Sequence, residues 1–301
     1  MLELKNDKIA VPIVLFAGLI WSFGPLVVRY MNDPHLVPWQ YIFGRGLTIF
    51  IILNLYLYFE EGINFYKNYK KIGKSGFLGG VGLGIAMISF IYSITNTSAA
   101  ITLLCLAAMP FFTALLAFLF LRERISLNVW VSIFIATIGI VIMAIDNTEK
   151  NSLVGFVFGI TSSIGFSVFS VSLRWRKETP KFTTVAVAGL FCFITASCMI
   201  MMKNQSFFSS SYNSAMFSLH GVLVCLGLIL YSIGSKAIAA AELTLLSLTE
   251  VIGGIFWVWL PLLGINEVPS TNTIIGGFFL FISLMYYSLI MRWNKRHIAL
   301  N

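Results

Sequence analysis

The sequence predicts an all-α integral membrane fold, with ten transmembrane helices arranged as two inverted five-helix repeats. Three observations carry that expectation: an apolar excess that no water-soluble fold can hide, a succession of runs long enough to cross a bilayer, and short motifs that recur at a nearly fixed offset. The 301 residues are 58% hydrophobic and only 11% charged, with a mean hydropathy of +0.89. Soluble domains lie nearer a quarter charged and under half apolar, and a chain of this length in water could not bury the surplus. The 27 Phe residues suit a surface that faces lipid.

A helix rises about 1.5 Å per residue, so about 20 mostly apolar residues cross roughly 30 Å of hydrocarbon. That measure gives ten spans, at approximately 9–30, 37–59, 75–94, 98–120, 128–146, 152–173, 183–202, 216–235, 240–262 and 273–292. The longest polar connections, 60–74 and 203–215, are too short for an extramembrane domain. The first run contains Trp21 and Pro25 and lacks a small-x-small cleavage site, so it reads as a span and not as a cleaved signal peptide.

Ten spans put both termini on one side of the membrane. If that side is the cytoplasm, sixteen of the 20 Lys and Arg fall in inner segments, Lys67, Lys70, Lys71 and Lys74 among them. Arg29, Lys150 and Lys203 fall outside, and Arg45 lies within a span. This positive-inside bias is expected of a multi-pass protein of the inner (plasma) membrane with cytoplasmic termini. It also accounts for the net charge of +8 without a nucleic-acid partner. Cys105, Cys192, Cys198 and Cys225 all lie in apolar stretches with no metal-ligand spacing, so they read as small buried hydrophobes.

The third and fourth spans contain Ile91-Tyr92-Ser93-Ile94 and Thr102-Leu103-Leu104-Cys105-Leu106. The eighth and ninth contain Leu230-Tyr231-Ser232-Ile233 and Thr244-Leu245-Leu246-Ser247-Leu248. The exits are Arg122-Glu123-Arg124-Ile125-Ser126 and Asn266-Glu267-Val268-Pro269-Ser270. Matches in one order at a nearly constant offset predict a duplication, with repeats at 1–146 and 147–301. Five spans per repeat make the halves opposite in topology. Inverted repeats are a recurrent design of secondary transporters, with the substrate near the midplane.

At these residues the chain resembles the EamA-type, ten-helix members of the drug/metabolite transporter superfamily. The similarity includes Trp21 with Arg29, Phe43-Gly44-Arg45-Gly46, and Tyr92 followed by Thr97-Ser98-Ala99-Ala100. Its clearest piece is Met109-Pro110-Phe111-Phe112-Thr113-Ala114-Leu115-Leu116, running to Arg122-Glu123-Arg124 and Ile138-Gly139. In the second half Leu248-Thr249-Glu250-Val251, Glu267 and Gly276-Gly277 fit the same pattern, although Ile252 stands where the pattern has proline. The resemblance implies export or exchange of small metabolites such as amino acids, without ATP and without a cofactor.

An ionisable group within a bilayer costs roughly 2.5–3.5 kcal/mol on insertion scales, so the few in the spans are candidates for function. Glu250, in the ninth span, is either a cavity carboxylate that binds an ammonium group or a coupling proton, or a structural partner of a neighbouring helix. Gly254 and Trp257 follow it on the same helix face. Arg45 could orient a substrate carboxylate or pair internally. Glu242 suits the first turn of its helix, beside water and Lys236. Trp21, Tyr92, Tyr231 and Trp257 are candidate pocket walls, as rings that either hold a polar substrate or simply pack. Asn96, Thr102 and Ser163 are weaker polar candidates. Glu123 and Glu267 read as loop-fixing groups. Gly76, Gly80 and Gly84, like Gly155, Gly159 and Ser163, form small-residue ridges for close helix packing.

His35, His220 and His297 fall near span ends or in the tail, and no zinc motif, nucleophile elbow or P-loop is present. The sequence therefore predicts a non-enzymatic secondary transporter of a small amino acid, zwitterion or organic cation, without metal or cofactor. Its other partners are the bilayer and protons or a counter-substrate, and its oligomeric state is open, with a homodimer among the options. Anionic or nucleotide-type substrates are the alternative within that class; a channel or scaffold is the alternative outside it. A lipid-modifying enzyme would need paired catalytic groups that the sequence does not offer.

Overall fold

The computed structural model describes residues 7–123, 125–144, 153–176, 178–265, 268 and 270–298, and these are helical apart from connections. In chain order the helices are α1 (Asp7–Trp21), α2 (Phe23–Tyr30), α3 (Pro38–Glu61), α4 (Lys67–Lys71), α5 (Gly73–Asn96), α6 (Ala99–Leu106) and α7 (Met109–Leu116). They continue with α8 (Leu127–Ala144), α9 (Leu153–Trp175), α10 (Lys181–Met202), α11 (Ser211–Gly234), α12 (Ala240–Leu246), α13 (Thr249–Trp259) and α14 (Thr271–Ile298). Among the described residues, eight stretches are long and apolar enough to cross a membrane. Two shorter apolar helices, Leu127–Ile142 and Ile274–Tyr287, stand where the fifth and tenth spans are expected. Lys5, Arg124, Lys150, Lys177 and Glu267 lie outside the described residues.

Polarity is arranged the opposite way from a protein dissolved in water. Large apolar side chains such as Phe16, Phe118, Phe134 and Phe278 are exposed, while Ser, Thr and Arg45 are buried. Such an exterior demands an apolar solvent, which is the bilayer. Cys105, Cys192 and Cys225 are buried, but Cys198 is exposed on α10, contrary to the sequence reading. In an apolar environment a thiol carries so little hydrogen-bonding demand that hydropathy cannot tell a lipid face from a core face.

Three of the spans are broken, and two of the breaks have a proline as their cause. A proline in a helix lacks the N–H for the carbonyl four residues back and its ring clashes with that carbonyl. Pro25 stands four residues after Trp21, where α1 ends; Pro110 stands four after Leu106, where α6 ends. The break between α12 and α13 has no proline. There the hydroxyls of Thr244, Ser247 and Thr249 donate to the Ala241, Thr244 and Leu246 carbonyls at 3.0, 2.8 and 3.2 Å, competing with the helix for its own acceptors. Beyond it α13 runs unbroken through Ile252, whose N–H reaches the Leu248 carbonyl at 3.3 Å. The missing proline therefore moves no part of this helix out of line.

The freed carbonyls find partners across the bundle. Ser163 donates to the Cys105 carbonyl and Ser167 to that of Met109, at 3.2 Å for the latter, so α9 fastens both sides of the α6–α7 break. Ser22 donates to the Leu19 carbonyl at 2.6 Å and accepts from the Trp257 indole at 2.8 Å. Arg29 donates to the Ile94 and Thr97 carbonyls at 3.0 and 3.2 Å, closing the end of α5.

Glycines set how closely the helices cross. A Cβ on Gly46 of α3 would lie 2.9 Å from the Gly189 carbonyl oxygen of α10, and one on Gly189 would lie 2.9 Å from the Gly46 carbonyl oxygen. Gly82 and Gly165 face each other in the same manner between α5 and α9, as Gly139 faces Gly276 between α8 and α14. On α5, Gly76, Gly80 and Gly84 turn towards α10, while Gly79 and Gly82 turn towards α9, so two helices pack against one.

The main helix contacts come in mates. α5 packs on α9 and α11 on α1; α5 packs on α10 and α3 on α11; α6 and α7 pack on α9, and α12 and α13 on α1. The pairs α3–α10, α8–α14 and α6–α13 complete the set. Exchanging each span with the one five further along returns the same pairings. Gly46→Val should force α3 and α10 apart at a cost of about 1–3 kcal/mol. A lowered melting temperature in detergent would report that cost. Gly277→Ala, where nothing lies within 4 Å of the added carbon, serves as the neutral control.

Candidate functional site

The broken spans converge on a central cavity of about 70 Å³. Trp21 enters from the end of α1, Leu106 and Met109 from either side of the α6–α7 break, and Glu250 from the first turn of α13. Arg45 of α3 contributes the second charge. Leu83, Ala86, Met87 and Phe90 of α5, Ser162 and Phe166 of α9, and His220, Val224 and Leu228 of α11 complete the wall.

Glu250 lies close to the middle of its span in sequence, but the break makes it a helix-initiating residue. The N-terminal dipole of α13 therefore acts on its carboxylate. Its side chain makes no hydrogen bond and no ion pair among the described residues, and it is half-buried against the cavity. Arg45 is only 3% exposed. Its Nη2 donates to the Met87 carbonyl at 2.8 Å, and its guanidinium carbon lies 6.0 Å from the Tyr41 ring centre and 5.9 Å from that of Phe90. One hydrogen bond and two rings fix its position and leave donors of the planar fork for another acceptor. The cavity thus presents one carboxylate and one guanidinium in an otherwise largely apolar chamber.

His220 is a wall residue that the sequence reading placed at a span end. Helix α11 begins at Ser211, earlier than the hydropathy of 211–215 suggests, because Ser210 caps it by accepting from the Asn213 N–H at 3.1 Å. That extra turn carries His220 well inside the bundle, where it is 2% exposed and its Nδ1 pairs with the Tyr41 hydroxyl. The capping serine was the available signal. Tyr41 is stacked on Phe217 at 4.9 Å, so ring packing holds the pair in place.

The other residues singled out from sequence lie around this chamber and not on its wall. Tyr231 is fully buried one layer behind, 5.5 Å from Trp21 and 5.2 Å from Phe166, with its hydroxyl 2.6 Å from Ser170 Oγ. Trp257 stacks on Phe23 at 4.7 Å while it holds Ser22, which makes it the clasp between α13 and the α1–α2 break. Tyr92 packs between Trp39 and Phe158, at 5.3 and 5.0 Å. Thr102 pairs with Ser93 at 2.9 Å, and Ser163 serves the Cys105 carbonyl. Asn96 is exposed and donates to the Tyr92 carbonyl at 2.8 Å. Trp21, whose indole donates to the Val224 carbonyl at 3.2 Å, joins Arg45 and Glu250 in the cavity.

Two further carboxylates have structural partners. Glu123 pairs with Arg174 at 3.1 Å, and Glu242, in the first turn of α12, accepts from the Tyr287 hydroxyl at 2.7 Å. Among the described residues no group of three or more His, Cys, Asp and Glu could hold a metal ion.

Residues 8–145 match the model of the EamA-like transporter family. Two Helicobacter pylori proteins, each named an uncharacterized transporter, are similar over 170 residues, at 30% identity in strain J99 / ATCC 700824 and 29% in strain ATCC 700392 / 26695. Those matches cover 56% of this chain and 56% of each relative, so the chain spans about half the length of the curated relatives it matches. A crystal structure of another protein superposes over 96% of this chain and 100% of that one with a TM-score of 0.72, at 17% identity, which is a likeness of fold alone. Over residues 8–145 the chain is therefore similar to the EamA-like transporter family.

Proposed function

We propose that the protein is a secondary transporter, an exporter or exchanger, of a small zwitterion such as an amino acid or of an organic cation. The observation that carries this reading is the pair of opposite charges, Glu250 and Arg45, lining one cavity at the meeting point of three broken helices. No ion pair joins them among the described residues, so each is left to a ligand. Glu250 takes the ammonium group, Arg45 the carboxylate, and Trp21, Phe90 and Phe166 enclose the carbon skeleton. An anion of nucleotide type would want several cations, and among the described residues Arg45 is the only Lys or Arg in the cavity wall.

Movement by alternating access draws support from the helix contacts, which survive exchange of the two halves. Two arrangements that are near mirror forms of one another in the membrane are close in energy, and glycine crossings with little interlocking relief permit rocking between them. The protein sits in the plasma membrane with both termini in the cytoplasm, as the distribution of Lys and Arg suggests. Substrate gradient, exchange or protons drive the cycle, with Glu250 as the proton carrier where protons are used.

In proteoliposomes, Glu250→Gln should abolish exchange of an amino-acid or amine substrate or remove its pH dependence; wild-type kinetics with the true substrate would take Glu250 out of the site. Arg45→Gln should weaken a zwitterion by about 2 kcal/mol, roughly the value of one charge-assisted hydrogen bond, and spare a simple amine. Competition measurements with matched amine and amino-acid pairs would reveal that difference, and equal losses for both members of a pair would count against Arg45 as the carboxylate partner.

A further inference from the structure

A second cavity, of about 260 Å³, opens at the end of the bundle where α3 and α11 finish and α10 begins. Lys71, Lys181 and Lys236 converge on it from three separate parts of the chain, and Glu61 and Glu178 share its wall. Glu61 is occupied by the Asn68 amide at 2.7 Å, and among the described residues no carboxylate forms an ion pair with any of the three lysines. Lys181 is held in place by donating to Ser235 Oγ at 2.7 Å. Clustered cations not neutralised by the protein attract an external anion.

Two further groups point the same way. Thr183 Oγ1 and Ser232 Oγ both line this cavity, belong to fully buried residues, and have no hydrogen-bond partner among the described residues. Hydroxyls on membrane helices ordinarily satisfy themselves on the carbonyl of the preceding turn, as Thr184 does on Pro180 at 3.1 Å. A buried polar group left without a partner costs about 1–3 kcal/mol, so a pair of them facing one cavity signals a missing ligand. The site also takes in the first turn of α10, whose N-cap residue is Pro180 and supplies no side-chain cap, so the amide dipoles there favour negative charge.

We propose that this cavity is an anion-binding site, built for a carboxylate or phosphate group by Lys71, Lys181 and Lys236 together with the Thr183 and Ser232 hydroxyls. Its position gives it a role. His220, Val224 and Leu228 line the central cavity and Ser232 lines this one, at four-residue spacing along α11, with Lys236 just beyond the end of that helix. Leu228 and Ser232 are separated by about 6 Å along the helix axis. An anion held here therefore waits at the mouth of the route to Glu250, a role that rests on the transport reading, whereas the binding site itself does not.

The test uses the full-length protein in nanodiscs of phosphatidylcholine alone, with inorganic phosphate as the titrant in calorimetry. Lys181→Gln/Lys236→Gln should weaken phosphate by about tenfold or more, while Glu250→Gln, the variant expected to stop transport, leaves it unchanged. Ser232→Ala removes only the unpartnered hydroxyl and should weaken phosphate about threefold at an unchanged melting temperature, which decides the matter even if the double variant does not fold. In a second arm, native mass spectrometry on nanodiscs containing phosphatidylglycerol asks whether an anionic lipid stays bound. Retention that depends on Lys181 and Lys236, without phosphate binding in the first arm, identifies a lipid headgroup as the occupant. Absence of both kinds of binding, or phosphate binding that is lost equally in Glu250→Gln, overturns the proposal.

Discussion

A peptide group in hydrocarbon has no water to turn to, and the whole architecture follows from where that rule is kept and where it is relaxed. Unbroken helices such as α3, α5, α9, α10 and α11 satisfy their own backbones and can face lipid. The three broken spans cannot, so their interruptions at Ser22, 107–108 and 247–248 must lie inside the bundle, where other helices or a cavity supply partners. Hydroxyls of α9 and of Ser22 supply them here. The requirement that protects the backbone is thus the same one that brings three interruptions together and creates a polar chamber in an apolar protein.

Close packing makes that convergence possible. Where Gly46 meets Gly189 and Gly82 meets Gly165, the backbones approach to distances that a single added carbon would not tolerate. In lipid there is little hydrophobic gain from bringing helices together, so such contacts and the hydroxyl bonds between helices carry much of the association. Smooth crossings also interlock less than large side chains do. The same residues that hold the bundle together are consistent with one half moving against the other.

Inside the chamber, charge is kept at a cost. Glu250 and Arg45 could have been placed to neutralise each other, yet they form no ion pair, and Arg45 is anchored instead by the Met87 carbonyl and two aromatic rings. A pair already closed would have to be opened before a ligand could enter. On the proposed transport reading, groups held apart are preorganised for a ligand that carries both signs. The lysine-lined cavity one helical turn beyond Leu228 extends this logic towards the end of the bundle, with three cations that form no ion pair among the described residues.

The sequence by itself determined the solvent and eight of the ten expected spans, and two of the three breaks that the structure shows fall at prolines. Apolar excess required lipid, run length required helices that cross it, and Pro25 and Pro110 each forbade a hydrogen bond four residues back. It also marked Arg45 and Glu250, because charged groups in a bilayer are too costly to be incidental. What only tertiary structure decided was which face of each helix looks inward. In a water-soluble helix one side is polar and the pattern reveals the core; here the inner and outer faces are both apolar, so Tyr92, Tyr231 and Trp257 could not be separated from Trp21 by their letters. The same blindness hid His220, whose place depends on one capping serine, and the Thr183 and Ser232 hydroxyls, which look like any others until the helices around them leave two of them facing an opening.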